Sequence, residues 1–225
     1  PTKLLKALSL FLCAVTAFIS MNVLTVEACR TPKETFLYQS VQYEVVTQPA
    51  DGQNGTAKAI GFVATRPNIN IPDVACDEDK HYTVIEVNFC NKKGNNFDQV
   101  TQFTCNSPSV TKINVSALTN VLDIDCTDTK INCINLSKNK KLQYFSCSNT
   151  ELTELNLCGL KNIIEICANN CHLWEIKYLQ SKALTFVSAK DQTVTVPVCA
   201  KRAGFQSKKC YIPTSKNVMA VTGSV

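Results

Sequence analysis

Histidine is almost missing from this chain: His81 and His172 are the two in 225 residues. No G-x-S-x-G, H-E-x-x-H, phosphate-loop or GxGxxG motif occurs either, so hydrolase, zinc-protease and nucleotide chemistry lack their usual residues. Glycine and proline are scarce, at 7 and 8, which excludes collagen-like and low-complexity chains. Long apolar runs are also lacking. The longest, residues 7–19, is too short to span a bilayer and nothing like it follows, so a multi-spanning membrane protein is excluded. With 45% hydrophobic and 18% charged residues the composition is that of a folded globular chain, and the net charge of +5 says little about partners. What the chain has in excess is cysteine, 13 residues, too many for a reduced cytosolic domain unless a repeat or a metal accounts for them.

Residues 1–28 read as an export signal. Lys3 and Lys6 precede the apolar run, and Val26-Glu27-Ala28 puts small residues where a signal peptidase reads. The next residue, Cys29, makes Val26-Glu27-Ala28-Cys29 resemble a degenerate lipobox. Lipidation of Cys29 and plain export with a free Cys29 are both open, and the bulky Glu27 favours plain export.

The cysteines find their explanation in a period of 21. Val100, Phe103, Cys105, Val110, Ile113 and Val115 align with Val121, Ile124, Cys126, Ile131, Ile134 and Leu136. They align again with Leu142, Phe145, Cys147, Leu152, Leu155 and Leu157, then with Ile163, Ile166, Ala168, Leu173, Ile176 and Tyr178. Every one of these positions is apolar, and no insertion breaks the register. A degenerate fifth copy holds Leu184, Val187, Ala189 and Val194 and ends near Cys199. Such a period is the mark of a solenoid whose units bury their apolar faces only against each other.

Within one unit, 142–157, the spacing is L-x-x-F-x-C-x-x-T-x-L-x-x-L-x-L. It resembles the 21-residue repeats of BspA-like and internalin-like bacterial leucine-rich-repeat surface proteins, over residues 97–199. The resemblance implies parallel β-coils, a protein partner such as a host matrix or surface protein, and no enzymatic activity. The fold expected is therefore mainly β: a short leucine-rich-repeat solenoid with a cysteine column in its core. A β-rich N-terminal cap over 33–96 precedes it, and a basic cap or tail over 200–225 follows. In the cap, 36–48, 56–65 and 81–89 read as strands, with Asp51-Gly52 as a turn.

Cys105, Cys126 and Cys147 share one inward column continued by Ala168 and Ala189, so small size is what that column requires, and the thiols are expected buried and reduced. Cys171 takes the turn position usually held by Asn, with Pro108, Thr129, Thr150 and Gln192 as its equivalents. Pro108 has no donor, and the first unit is expected to be distorted there. Cys167, Cys171 and His172 lie close in sequence but point in different directions, which argues against zinc. Cys76 with Cys90, and Cys199 with Cys210, fall in the caps as disulfide candidates for an exported chain. Cys133 and Cys158 point outward and out of register with each other. The sequons at Asn54, Asn114 and Asn135 carry glycans only on a eukaryotic secretory route.

Chemistry then falls to the outward columns of the first strand, the concave face of such a solenoid. The first column is Gln102, Asp123, Tyr144, Glu165 and Phe186; the second contains Asp125, with Ca²⁺ binding there disfavoured for want of converging oxygens. Tyr144 and Phe186, two strands apart with Glu165 between them, are the expected anchors for a protein partner. Trp174 and the basic stretch 201–216 are secondary candidates. Neither nucleic acid nor a cofactor nor a metal is implied, and membrane contact is expected only through lipid on Cys29. Adhesin-like binding at the cell surface is the first reading. A structural protein paired with another envelope component, in the periplasm, is the second.

Overall fold

The computed structural model describes residues 33–90 and 93–177. Beyond 177 it describes 181, 183, 184 and 187–189 with their side chains, and Phe186 and the strands at 195–196, 214–215 and 218–220 as backbone only. Cys29, Cys199, Cys210, Lys190, Gln192 and the Phe186 side chain lie outside the described residues. The described residues from Thr35 onward belong to one compact unit.

Five strands form most of the first sheet. β1 (Thr35–Tyr38), β2 (Val41–Thr47) and β3 (Gly55–Phe62) run antiparallel in sequence. The stretch 36–48, read as one strand, is thus a hairpin: Gln39 and Ser40 adopt positive φ, and the chain reverses. Asp51 and Gly52 turn β2 into β3 at φ 51° and 74°, a pair of left-handed residues that matches the right-handed twist of the hairpin. β4 (Asn68–Ile71) leaves this sheet; β5 (Val74–Asp77) and β6 (Lys80–Asn88) return to it, with β6 parallel to β3 and antiparallel to β5. Alternating inward residues supply its core. The Phe36 ring stacks on Tyr43 at 5.2 Å and on Tyr82 at 4.9 Å.

A 3-10 turn at Phe97–Gln99 leads into the coils. Each coil contributes a first strand: β7 (Gln102–Cys105), β9 (Asp123–Asp125), β10 (Tyr144–Ser146), β12 (Glu165–Cys167) and β14 (Phe186–Ser188). Second strands are β8 (Lys112–Asn114), β11 (Glu154–Asn156), β13 (Glu175–Lys177) and β15 (Thr195–Val196), and β16 (Thr214–Ser215) and β17 (Val218–Ala220) extend the sheet of β11, β13 and β15. First strands pair in parallel at the repeat spacing, Gln102 with Asp123, Asp123 with Tyr144, Tyr144 with Glu165, and Glu165 with Phe186. This is a β solenoid of leucine-rich-repeat type. Its core is the inward stripe: Phe103, Ile124, Phe145, Ile166 and Val187 are all buried, as are Leu155 and Ile176 from the second strands.

Three departures have physical causes. The coil order begins before residue 97, because β4 pairs in parallel with β7, Asn68 facing Gln102. The detour through β5 and β6 separates the two, so no 21-residue period could show it. The second-strand sheet breaks at 133–135, where no ladder forms: β8 pairs with β6 and β11 with β13. Finally, Glu175 pairs with Thr195, one residue short of the repeat spacing, so the fifth coil is tightened.

The Cys76–Cys90 bridge is not made; both thiols are free, Cys76 half-buried and Cys90 exposed. Cys76 pairs with His81 across the β5–β6 hairpin, and Cys90 lies nine residues farther along an extended chain. At 3.3 Å per residue that is about 30 Å, whereas a disulfide needs its Cα atoms within about 7 Å.

Candidate interaction face

The turn after each first strand is what fixes the face. Thr129 and Thr150, buried, donate their hydroxyls to the carbonyls of Cys126 and Cys147 at 2.7 and 2.8 Å, tying each turn back to its own strand. In the first unit Pro108 is exposed and Ser107 turns inward instead. Its hydroxyl donates to the Asp73 carboxylate at 2.6 Å and accepts from the Ser109 amide at 3.3 Å. The distortion anticipated at Pro108 is thus a one-residue shift that keeps the turn satisfied.

Immediately before the threonines runs a ladder that sequence reading missed. Asp128, Asn149 and Asn170 all have positive φ, at 62°, 57° and 50°. Asn149 donates to the Asp128 carboxylate at 2.6 Å and Asn170 donates to the Asn149 side-chain oxygen at 3.0 Å. Asp and Asn tolerate the left-handed region better than other non-glycine residues, and their recurrence at 21 was the available signal. A second set of Asx turns accounts for two of the sequons. Asn114, Asn135 and Asn156 each accept a hydrogen bond from the amide two residues on, of Ser116, Ser137 and Cys158, at 3.0–3.1 Å.

On the face itself, strand register sets Gln102, Asp123, Tyr144 and Glu165 side by side. Gln102 is exposed, Tyr144 is 40% exposed, and Asp123 and Glu165 are half-buried. Adjacent strands are about 4.8 Å apart, so the two carboxylates bracket the Tyr144 ring at about 10 Å. Phe186 continues the row by its backbone, paired with Glu165. In the next column Asp125 is engaged: its carboxylate accepts from the Thr127 amide at 3.0 Å and from Asn106 at 3.4 Å. Asp123 has no such partner among the described residues. Burial first, and then the neighbouring Asp125 charge, push its carboxyl above the ordinary 3.8. No outward position of β4, β7, β9, β10 or β12 holds Lys or Arg.

The core thiols lie directly beneath. Cys105, Cys126 and Cys147 are fully buried and Cys171 nearly so. Burial raises Cys105 to about 12 and Cys126 well above its ordinary range. Cys167 points outward from β12, half-buried, and burial and then Glu165 raise it, opposed by a hydrogen bond from Ser146. His172 is exposed on the turn edge. Cys167, Cys171 and His172 therefore diverge. Cys133 and Cys158 are free and exposed. On the second-strand side Trp174 is 55% exposed, with the Lys177 ammonium 5.5 Å above its ring and 2.6 Å from Glu154. That pairing is solvent-exposed and contributes little.

No family model matches the sequence, and no curated protein matches it. Among solved structures the chain is similar to InlJ from Listeria monocytogenes, whose functional domain includes a cysteine ladder. The identity is 19% and the TM-score 0.38, covering 54% of this chain and 30% of that one. It is also similar to a leucine-rich cell surface protein from Faecalibacterium prausnitzii A2-165, at 14% identity and a TM-score of 0.32, covering 84% of this chain and 58% of that one. The chain thus spans less than two thirds of either structure.

Proposed function

We propose that this chain is an exported, non-enzymatic recognition module that binds a protein partner on the outward face of β7, β9, β10 and β12. The observation that carries the reading is the row Asp123–Tyr144–Glu165: an exposed aromatic ring between two carboxylates, on strands whose described outward positions hold no Lys or Arg. An aromatic ring offers its face to a cation, and a carboxylate offers the charge-assisted hydrogen bond. The partner segment this favours is basic or donor-rich. Gln102 and Asp125 flank the row, and Phe186 extends it. A host matrix or surface protein is the proposed partner class, with the chain displayed at the cell surface.

Purified full-length chain, immobilised and exposed to individual extracellular-matrix proteins, tests binding directly. Labelling of intact cells by an impermeant reagent tests display. Tyr144→Ala should weaken the identified complex by about thirtyfold, the equivalent of about 2 kcal/mol at an anchor, and leave the melting temperature unchanged. Undiminished binding by Tyr144→Ala together with Asp123→Asn would remove this face from consideration. Protection of the chain on intact cells would move it to the periplasm, and the partner to the envelope.

A further inference from the structure

The break in the second-strand sheet opens a groove. β11 ladders with β13, Glu154 facing Glu175, but Cys133, Ile134 and Asn135 pair with neither β8 nor β11. Between that stretch and the next coil lies a depression of about 400 Å³. Its walls are Ile134, Asn135 and Ser137 on one side and Glu154, Asn156 and Cys158 on the other. Such a volume falls at the low end for small-ligand sites, about 300–1,000 Å³. The groove belongs to the second strands, apart from the Tyr144 row on the first strands, and its chemistry does not depend on the reading of that row.

Its polar groups are held in place yet left unspent. Asn135 and Asn156 accept the amides of Ser137 and Cys158 at 3.0 Å, which fixes each carboxamide plane. Their Nδ2 groups have no acceptor among the described residues, whereas Nδ2 of the equivalent Asn114 is taken up by Asn88 at 3.2 Å. Glu154 meets Lys177 through one carboxylate oxygen, at 2.6 Å, and its other oxygen has no partner among the described residues. Trp174 stands at the rim beside Glu154. Its amide donates to the Thr153 carbonyl at 3.0 Å, and the Lys177 ammonium, 5.5 Å from the ring centroid, links the ring to Glu154. The ring is more than half exposed, and the fold does not require it, because the coil before carries Thr153 in that place. Two carboxylates and two ammoniums surround the groove: Glu154 and Glu175 with Lys177, and Lys140, whose Nζ donates to the Cys158 carbonyl at 3.4 Å. Charge therefore favours neither an anion nor a cation. Apart from Cys158, Ile134 is the one apolar side chain in the walls, which gives a peptide little to bury.

We propose that this groove, with Trp174 at its rim, binds a neutral oligosaccharide. A sugar hydroxyl is donor and acceptor at once. It accepts from the Nδ2 groups of Asn135 and Asn156 and donates to the free oxygen of Glu154. A pyranose ring also has a face of C–H groups, without hydrogen-bonding capacity, that lies flat against an aromatic ring. One sugar unit occupies the groove, and the next covers Trp174.

The test uses the full chain on an array of neutral, acidic and basic oligosaccharides, followed by calorimetry with the tightest neutral binder. Trp174 is the only tryptophan of the chain, so its emission reports on this site alone. It should shift saturably with the same ligand and the same affinity. Asn135→Asp and Asn156→Asp keep the oxygen that accepts the turn amide but remove the donor. Each should weaken binding about tenfold, the scale of one lost hydrogen bond, and leave the melting temperature within a few degrees. By calorimetry Trp174→Ala should weaken it to a similar degree, and Tyr144→Ala should leave it unchanged. Capture of no neutral oligosaccharide by the wild type, binding restricted to charged ones, or a neutral ligand held equally well by Asn156→Asp and Trp174→Ala would overturn the proposal. A Trp174 response to an acidic or basic peptide but to no sugar would assign the groove to a protein partner and overturn it as well.

Discussion

Cys126 is the most direct probe of the column at the centre of the coils. It is fully buried between Cys105 and Cys147, and its sulfur donates to the Ser146 carbonyl of the next coil. Cys126→Ala removes one sulfur and one weak hydrogen bond. Ala168 and Ala189 already fill the same column and are fully buried, so the coil spacing accommodates the smaller residue. The cost should be about 1–2 kcal/mol, the low end for a truncation in a packed core. Cys126→Asp is a different perturbation. The carboxylate would face the same burial that raises the Cys126 thiol, with the Asp125 charge beside it. Either the charge is buried unpaired or the group is held protonated against its preference, and both cost several kcal/mol. Against a total stability of about 5–15 kcal/mol for a domain, that is enough to prevent folding. Urea denaturation followed by circular dichroism measures the first variant, and soluble yield with the circular dichroism spectrum measures the second. A thiol reagent added to the native wild type should modify Cys90, Cys133 and Cys158 rapidly and Cys105 and Cys126 only on unfolding. An Asp variant within 1 kcal/mol of wild type, or Cys126 labelling as fast as Cys133, would refute the buried column.

Three further outcomes are expected. Asn149→Val forces a β-branched residue into φ 57° and breaks the side-chain ladder to Asp128 and Asn170, and should cost about 2–3 kcal/mol in urea denaturation; Asn149→Gly keeps the conformation and should cost less than half of that. Asn139→Ala strips the two 2.9 Å hydrogen bonds from the buried carbonyls of Val115 and Leu118 and should cost about 2–4 kcal/mol by the same measurement, even though it also removes a side-chain oxygen that has no partner. Asp123 titrates with a defined sign: its folded-state value is raised, so the folded chain holds the proton more tightly, and that stabilisation is complete below 3.8 and lost as pH rises through the raised value. Asp123→Asn should therefore raise the melting temperature at pH 7 and flatten its decline across that window, while weakening the complex with a basic partner. Melting curves at a series of pH values check the first half, and a lower melting temperature at pH 7 would contradict it.

The parts of this molecule visible in its sequence are those that the repeat multiplies. An inward position is tested by burial in every coil, so Phe103, Ile124, Phe145 and Ile166 betray the coil by recurring, and Ala168 beneath Cys147 shows that the column selects for size. β4 stayed hidden because its partner β7 is separated from it by β5 and β6 rather than by a repeat. Asp128, Asn149 and Asn170 recur at 21 but were lost among other polar residues, since their role depends on backbone φ, which a hydropathy pattern does not carry. Cys76 and Cys90 misled for a related reason: counting thiols ignores the hairpin that directs Cys76 toward His81.

The outward row inverts this logic. Nothing in the core requires an aromatic at 144, because three of the four equivalent places hold Gln102, Asp123 and Glu165, with Phe186 the other ring, and a strand lacking an exposed ring packs as well. Nor does folding favour Asp123, whose ionised form the structure disfavours through burial and through Asp125. On the proposed reading, a residue that departs from its column, or that the fold carries at a cost, is where binding rather than folding sets the choice. Tyr144 meets the first condition and Asp123 the second, and they are neighbours on adjacent strands. Stability and binding should consequently respond in opposite directions to Asp123→Asn, and binding alone to Tyr144→Ala. A scaffold role for this face would instead move both quantities together.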